Sequence, residues 1–137
     1  MGRTRSFDER QVVETAAALF TGQGYEATSI DDLVGATGLH RGSLYQAFGS
    51  KRGIFLTALQ RLVVEQLPTP PHGPGEQLPP AWLDLLLVAA LELAPRDTDV
   101  RDLVRRGCVL LDPHPVDDAS GRAASLLGRR LVHRAGV

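Results

Sequence analysis

Residue types that build catalytic or metal sites are scarce in this chain of 137 residues. A single cysteine, Cys108, excludes an internal disulfide and a cysteine-only zinc site within one chain. The four histidines are scattered without the spacing of metal ligands. No Ser/His/Asp arrangement and no glycine-rich phosphate loop stands out either. We therefore expect no enzyme, no metal site and no cofactor.

Long hydrophobic runs are lacking as well. No run approaches the length of a membrane span, and the opening sequence MGRTRSFDER contains no hydrophobic signal region. Leu, Ala and Val are ample for a helical core, which is typical of a soluble globular protein. We expect a cytoplasmic protein that has no membrane partner.

Acidic residues are absent from residues 33–64, although the net charge of the whole chain is only −1. The same segment contains the basic residues Arg41, Lys51, Arg52 and Arg61. A positive potential confined to one segment suits a surface that docks on duplex DNA. A solvated basic face on an ordinary helical bundle is the alternative, and charge alone does not decide between the two.

Local patterns within this region predict a helix, a tight turn and a second helix. The first helix can be capped by Thr28 with Asp31 or by Ser29 with Asp32, because a hydroxyl and a carboxylate satisfy the free amides of a helix start. Gly38 can end that helix in a left-handed conformation that other residues resist. The charge pattern and this turn together favour a helix-turn-helix over a merely solvated basic face.

The second helix is predicted over residues 41–48. Leu44, Ala47 and Phe48 share one side of it, which we expect to be buried. The opposite side carries polar and basic side chains, namely His40, Arg41, Ser43, Tyr45 and Gln46. A polar, cationic second helix is what a recognition helix requires.

The sequence GLHRGSLYQAFGSK, preceded by AAALFTGQGYEATSIDDL, resembles the DNA-binding domain of TetR-family transcriptional regulators. The shared positions are Leu19, Phe20, Gly24, Tyr25, Thr28, Ser29, Gly38, Gly42, Ser43, Leu44, Tyr45, Phe48, Ser50 and Lys51. The resemblance covers roughly residues 6–61. His40 departs from it, because many members have Ser or Thr there, and this implies a weaker cap on the second helix.

The resemblance implies an all-α fold, in which a TetR-type three-helix helix-turn-helix domain is followed by a truncated helical bundle. We expect the DNA-binding domain over residues 6–66, with its helix-turn-helix at 29–48. Six of the nine prolines lie in residues 68–80, so a Pro-rich linker is expected over 67–80. Residues 81–137 would then form a shortened helical regulatory or dimerisation domain.

The resemblance also implies which residues contact DNA. Tyr45 and Lys51 would hold phosphates, together with Thr28. Arg and Gln suit guanine and adenine respectively, so the expected base readers are Arg41, Ser43 and Gln46, with His40 as a fourth candidate. The complete expected DNA-binding set is Thr28, Ser29, His40, Arg41, Gly42, Ser43, Tyr45, Gln46 and Lys51.

The function predicted from these features is that of a sequence-specific transcriptional regulator, a repressor, whose partner is a double-stranded DNA operator. Three alternatives stay open. The chain could pair with a full-length relative through residues 81–93, act as a DNA-binding fragment without effector response, or bind ligands after losing DNA binding. A homodimer and a heterodimer are both compatible with the sequence, and we expect a small-molecule effector to be absent or weakly bound. Cys108 lies on an apolar stripe, which favours core packing over a redox role.

Overall fold

A computed structural model describes residues 7–66 and 80–111 of the chain. Over those residues the regular structure is entirely helical, which confirms the predicted all-α class. The sequence also predicts Ser6, with Glu9 three residues later, as the cap of the first helix, and a final helix over residues 116–134. Ser6, this final helix and most of the Pro-rich linker lie outside the described residues.

Six α-helices are present in the described part of the chain, and two of them continue as π-helical turns. They are α1 Glu9–Gln23, α2 Ile30–Thr37, α3 Arg41–Phe48, α4 Lys51–Gln60 with the π-turn Arg61–Gln66, α5 Pro80–Val88 with the π-turn Ala89–Leu93, and α6 Thr98–Leu111. The second π-turn is closed by the Ala94 amide, which donates to the Ala89 carbonyl at 2.8 Å. The limits predicted for the second helix of the helix-turn-helix, residues 41–48, are confirmed.

The chain divides into two compact units inside α4, between Ala58 and Leu59. Composition placed the division further along, at the Pro-rich segment. Because α4 contributes to both units, a single helix runs through the point at which one unit ends and the next begins. The limits expected for two domains, 6–66 and 81–137, stay predictions.

The first unit is built on one face of α1 and the apolar sides of α2, α3 and α4. Its buried apolar residues are Val12, Val13, Ala16, Phe20, Leu33, Leu44, Ile54, Phe55 and Ala58. Three rings meet within it: the Phe20 centroid lies 5.7 Å from that of Tyr25 and 5.1 Å from that of Phe55, and Tyr25 and Phe55 are 5.2 Å apart. Aromatic pairs at such separations stabilise beyond the area that they bury.

Helix starts follow local hydrogen bonding. The α1 cap differs from the prediction, which chose Ser6 with Glu9: α1 begins at Glu9, and the Asp8 carboxylate accepts from the Arg10 amide at 3.0 Å. Asp8 lies next to the first helical residue, so its carboxylate reaches the free amides. Of the two caps considered for α2, the one formed by Ser29 and Asp32 is present, because Ser29 Oγ accepts from the Asp32 amide at 3.0 Å.

Glycines set the two turns on either side of α3. Gly38 has φ +74° and Gly49 has φ +83°, values that an L side chain rarely adopts. Ser50 caps α4, since its Oγ accepts from the Gly53 amide at 2.9 Å. His40 occupies the cap position of α3 without a side-chain capping bond, which agrees with the weak cap expected there.

The second unit contains a buried run at residues 85–89, which covers the end of α5 and the first residue of its π-turn and agrees with the near-continuous apolar character of that segment. α6 begins after Asp97, whose carboxylate accepts from the Val100 amide at 3.3 Å. Cys108 is half-buried on α6, and burial raises the pKa of its thiol. A raised pKa disfavours the thiolate, so the structure supports a packing role for this cysteine.

Candidate nucleic-acid interface

The outer side of α3 is an exposed, polar surface, and the opposite side of the helix is buried at Leu44. Leu44 is 1% exposed and fixes the helix on the core, whereas Arg41, Gly42, Tyr45 and Gln46 are exposed. With 3.6 residues per turn, these four positions fall within an arc of about 140°. We call Arg41, Gly42, Tyr45 and Gln46 the α3 surface. It brings four of the nine expected residues together on one face.

Two other expected residues lie at the margin of this surface. Ser43 is half-buried at the edge of the arc, while His40 is exposed at the start of the helix. Gly42 has an open outer side, because a Cβ added there would meet no atom within 4 Å. Packing inside the protein therefore does not require a glycine at this position. Glycine would instead allow the backbone to approach an external partner closely.

Thr28 has a different position from the one expected for a phosphate contact. It is fully buried, and its hydroxyl donates to the Gly24 carbonyl at 2.7 Å and accepts from Gln23 Nε2 at 3.2 Å. Gln23 Nε2 also donates to Asp32 Oδ2 at 3.2 Å. These bonds join the end of α1 to the start of α2. The Thr28 side chain therefore orients α2 in this structure, and any contact of Thr28 with DNA stays a prediction.

Lys51 is engaged with the same turn from the α4 side. Its Nζ donates to the carbonyls of Tyr25 and Thr28, both at 3.1 Å, and lies 4.3 Å from the Tyr25 ring centroid. Two of the three donors of the ammonium are thereby used. We call this arrangement the Lys51 brace, because it connects α4 to the turn between α1 and α2. The expected phosphate contact of Lys51 is neither supported nor opposed by it.

The two acidic residues at the start of α2, Asp31 and Asp32, have different hydrogen-bond partners. Asp32 Oδ2 accepts from the Ser29 amide at 2.9 Å, and this bond, followed by that to the Ser29 hydroxyl, lowers the pKa of Asp32. Asp31 instead pairs with Arg41 Nη2 across the turn. Arg41, expected to read bases, is therefore ion-paired on the surface of the free protein.

The end of α3 and the start of α4 approach closely at Gly53. A Cβ added at Gly53 would clash with the Phe48 carbonyl oxygen, which is backbone and has little freedom to move. Gly53 therefore permits the close approach of the start of α4 to the end of α3. Periodicity does not identify such a residue, since an isolated glycine in a helical pattern only lowers the helix propensity.

Sequence reasoning missed three contributors to this region: Gln23, Asp31 as the partner of Arg41, and the Tyr25 partnership of Lys51. One signal was present for the last. The chain has fifteen cationic side chains and only one is lysine. A compact ammonium fits between two carbonyls and above a ring, whereas the planar fork of arginine has a different donor geometry.

Residues 7–66 and 80–111 contain neither a cluster of metal ligands nor a membrane-spanning helix. No three His, Cys, Asp or Glu side chains there lie close enough to hold a metal ion. None of the helices in that part of the chain combines the length and the apolar character that crossing a bilayer needs.

The three-helix core, the glycine turn and the exposed polar second helix define a helix-turn-helix domain of the type that presents its second helix to DNA. Residues 12–58 match the family described as "Bacterial regulatory proteins, tetR family". Over these residues the helix-turn-helix of this chain is similar to that of TetR-family regulators.

Individual relatives agree with this assignment. The chain is 43% identical over 60 residues to the uncharacterized HTH-type transcriptional regulator YezE of Bacillus subtilis (strain 168), a match that covers 44% of this chain and 31% of YezE. It is 44% identical over 62 residues to the HTH-type transcriptional repressor ComR of Escherichia coli (strain K12), covering 45% of this chain and 30% of ComR. The matches thus span less than a third of either relative.

Among solved structures, the crystal structure of the TetR family transcriptional regulator PfmR from Thermus thermophilus aligns with a TM-score of 0.47 at 25% identity. The alignment covers 90% of this chain and 84% of that one.

Proposed function

We propose that this protein is a sequence-specific DNA-binding transcriptional regulator that acts as a repressor. The observation that carries the proposal is the α3 surface, in which Arg41, Gly42, Tyr45 and Gln46 stand exposed on a helix whose other side is anchored by Leu44. One of its relatives, ComR, is named a transcriptional repressor. Because the target is chromosomal DNA, we expect the protein to act in the bacterial cytoplasm.

In this proposal, α3 enters the major groove of an operator. Arg41 donates to guanine O6 and N7, and Gln46 pairs with adenine through its amide. Ser43 and His40 reach bases at the two margins of the helix. Tyr45 donates its hydroxyl to a phosphate, which positions the helix without carrying sequence information.

The turn before α2 and the start of α4 support this docking. The Ser29 cap and the buried Thr28 fix α2, and Lys51 holds the same turn while its third N–H is directed to a phosphate. Gly42 lets the backbone of α3 approach the groove. Each of the nine predicted residues thus has a role, but the role of Thr28 is to orient α2.

A second copy of the chain is the protein partner that we propose. In the second unit, the apolar side chains of Leu91 and Val109 are 58% and 59% exposed. Contact with a second copy would cover such residues and would match a DNA site that has two half-sites. The weak response to small molecules stays a prediction.

The test is selection of duplexes from a random pool by the purified protein, followed by anisotropy titrations of the selected and a scrambled duplex. We expect at least a thousandfold preference, as is typical of specific regulators, with log affinity falling linearly with log salt for both duplexes. Substitution of Gln11, an exposed residue of α1, by alanine is the matched control for substitutions on α3. Selection that enriches no sequence would contradict the proposal.

A further inference from the structure

The guanidinium of Arg41 is held by a carboxylate that the helix-turn-helix pattern does not require. Arg41 Nη2 donates to Asp31 Oδ1, and the two side chains are 54% and 78% exposed. Asp31 lies in the first turn of α2, and Arg41 is the first residue of α3. The pair therefore bridges the two helices at the edge of the α3 surface.

We propose that Asp31 is a specificity-determining positioning residue, which aims the Arg41 guanidinium at a base edge and keeps it away from phosphates. The inference rests on the proposed function, because it assigns a role within that same DNA surface. Asp31 would not touch the base itself, and its effect would act through Arg41.

The placement of the two acids on α2 supports a distinct role for Asp31. Asp32 is committed to the helix cap, with its Oδ2 accepting from Ser29 N and from Gln23 Nε2. A carboxylate at the N-terminus of α2 is also favoured by the helix dipole. The positive end of the α3 dipole gives no such support to Arg41, and its partner comes from α2 instead.

The geometry of a guanidinium allows Asp31 and a base to be bound at once. Arginine has five N–H donors in a rigid fork, and Asp31 Oδ1 takes a donor on Nη2. The second N–H of Nη2, together with an N–H of Nη1 or Nε, can therefore reach guanine O6 and N7 while Asp31 limits the rotamers of the side chain. Restricting the side chain before binding reduces the entropy lost on recognition.

On non-cognate DNA the same carboxylate has the opposite effect. Such binding depends on phosphates, which are spaced at about one charge per 1.7 Å along the duplex. A phosphate must compete with Asp31 for the guanidinium, and the negative charge of Asp31 repels it. Asp31 should thus raise affinity for the cognate site and lower affinity for random sequence.

The experiment compares Asp31→Asn with wild type on the selected operator and on a scrambled duplex. An exposed ion pair suggests changes of about two- to fivefold in each affinity, so cognate binding should weaken and random binding strengthen by that factor. The salt slope on random DNA should steepen by about one unit, because Arg41 gains a phosphate and releases one more counterion. Asp31→Glu, which keeps the charge, should retain most of the preference.

Glu14→Gln is the matched control, since it removes one negative charge from an exposed pair, Arg10 with Glu14 at 3.6 Å on α1. Its affinities should change by one common factor on both duplexes. In an Arg41→Ala background, Asp31→Asn should no longer alter the preference, because the effect acts through the guanidinium.

Two results would overturn the inference while leaving the proposed function intact: the same common factor for Asp31→Asn as for Glu14→Gln, or an unchanged effect of Asp31→Asn in the Arg41→Ala background. A surface pair that only stabilises the fold would give the first result. A wild-type protein without preference for any duplex would instead refute the proposed function itself.

Discussion

Replacement of Lys51 by alanine should destabilise the first unit, even though lysine at this position is expected from the sequence to act on DNA. The change removes two hydrogen bonds from the ammonium to the carbonyls of Tyr25 and Thr28, each at 3.1 Å, and the contact with the Tyr25 ring. Bonds that involve a charged group contribute about 1.5–3 kcal/mol each, and a cation above a ring adds about 0.5–1 kcal/mol. These contributions overlap and the site is partly exposed, so we expect a loss of about 2–4 kcal/mol.

Urea unfolding followed by circular dichroism measures this loss as a lower midpoint at an unchanged slope. Lys51→Arg distinguishes the brace from a pure phosphate contact, because it keeps the charge but replaces the compact ammonium by a planar fork. We expect Lys51→Arg to lose more than about 1 kcal/mol of the free energy of unfolding. Arg10→Ala, which removes a cation from an exposed pair on α1, should change it by less than about 0.5 kcal/mol. If Lys51→Ala kept wild-type stability and only weakened DNA binding, the stabilising role of the Lys51 brace would be contradicted.

The remaining predictions concern two glycines and one carboxylate. Gly42→Ala should stabilise the helix by up to about 1 kcal/mol yet weaken DNA binding, because the added methyl group enters the space left for the duplex; Gly22→Ala, equally free of neighbours on α1, should affect stability alone. Gly53→Ala should lower the free energy of unfolding by about 1–3 kcal/mol through its clash with the Phe48 carbonyl, measured in the same urea series. Asp32→Asn should destabilise at neutral pH; since the folded-state pKa of Asp32 is lowered, the difference from wild type should persist above the ordinary aspartate range and disappear as pH falls through the folded-state value. A difference that grows on acidification would contradict this assignment.

Much of the first unit could be predicted because its determinants are local. Gly38 and Gly49 indicate their turns, Ser29 and Ser50 their caps, and apolar spacing identifies Leu44 as the anchor of α3. Each of these signals acts within one helical turn of sequence, which is the range that pattern reasoning covers.

The contacts that could not be predicted join residues far apart in the sequence. Lys51 reaches the Tyr25 carbonyl across 26 positions, and Arg41 reaches Asp31 across 10. The choice between Thr28 and Ser29 as the cap also depended on packing, since burial of Thr28 turned its hydroxyl toward Gly24. Propensity and spacing describe single helices, whereas these contacts depend on how helices are placed against one another.

Base reading by the α3 surface is measured by the affinity ratio between the selected operator and a scrambled duplex. Gln46→Ala should cost about 1–3 kcal/mol on the operator and far less on scrambled DNA, since a scrambled duplex does not present adenine at the position that Gln46 reads. Tyr45→Phe should weaken both duplexes by one common factor, because a lost phosphate contact carries no sequence information. Equal losses on both duplexes for Gln46→Ala would contradict base reading by α3.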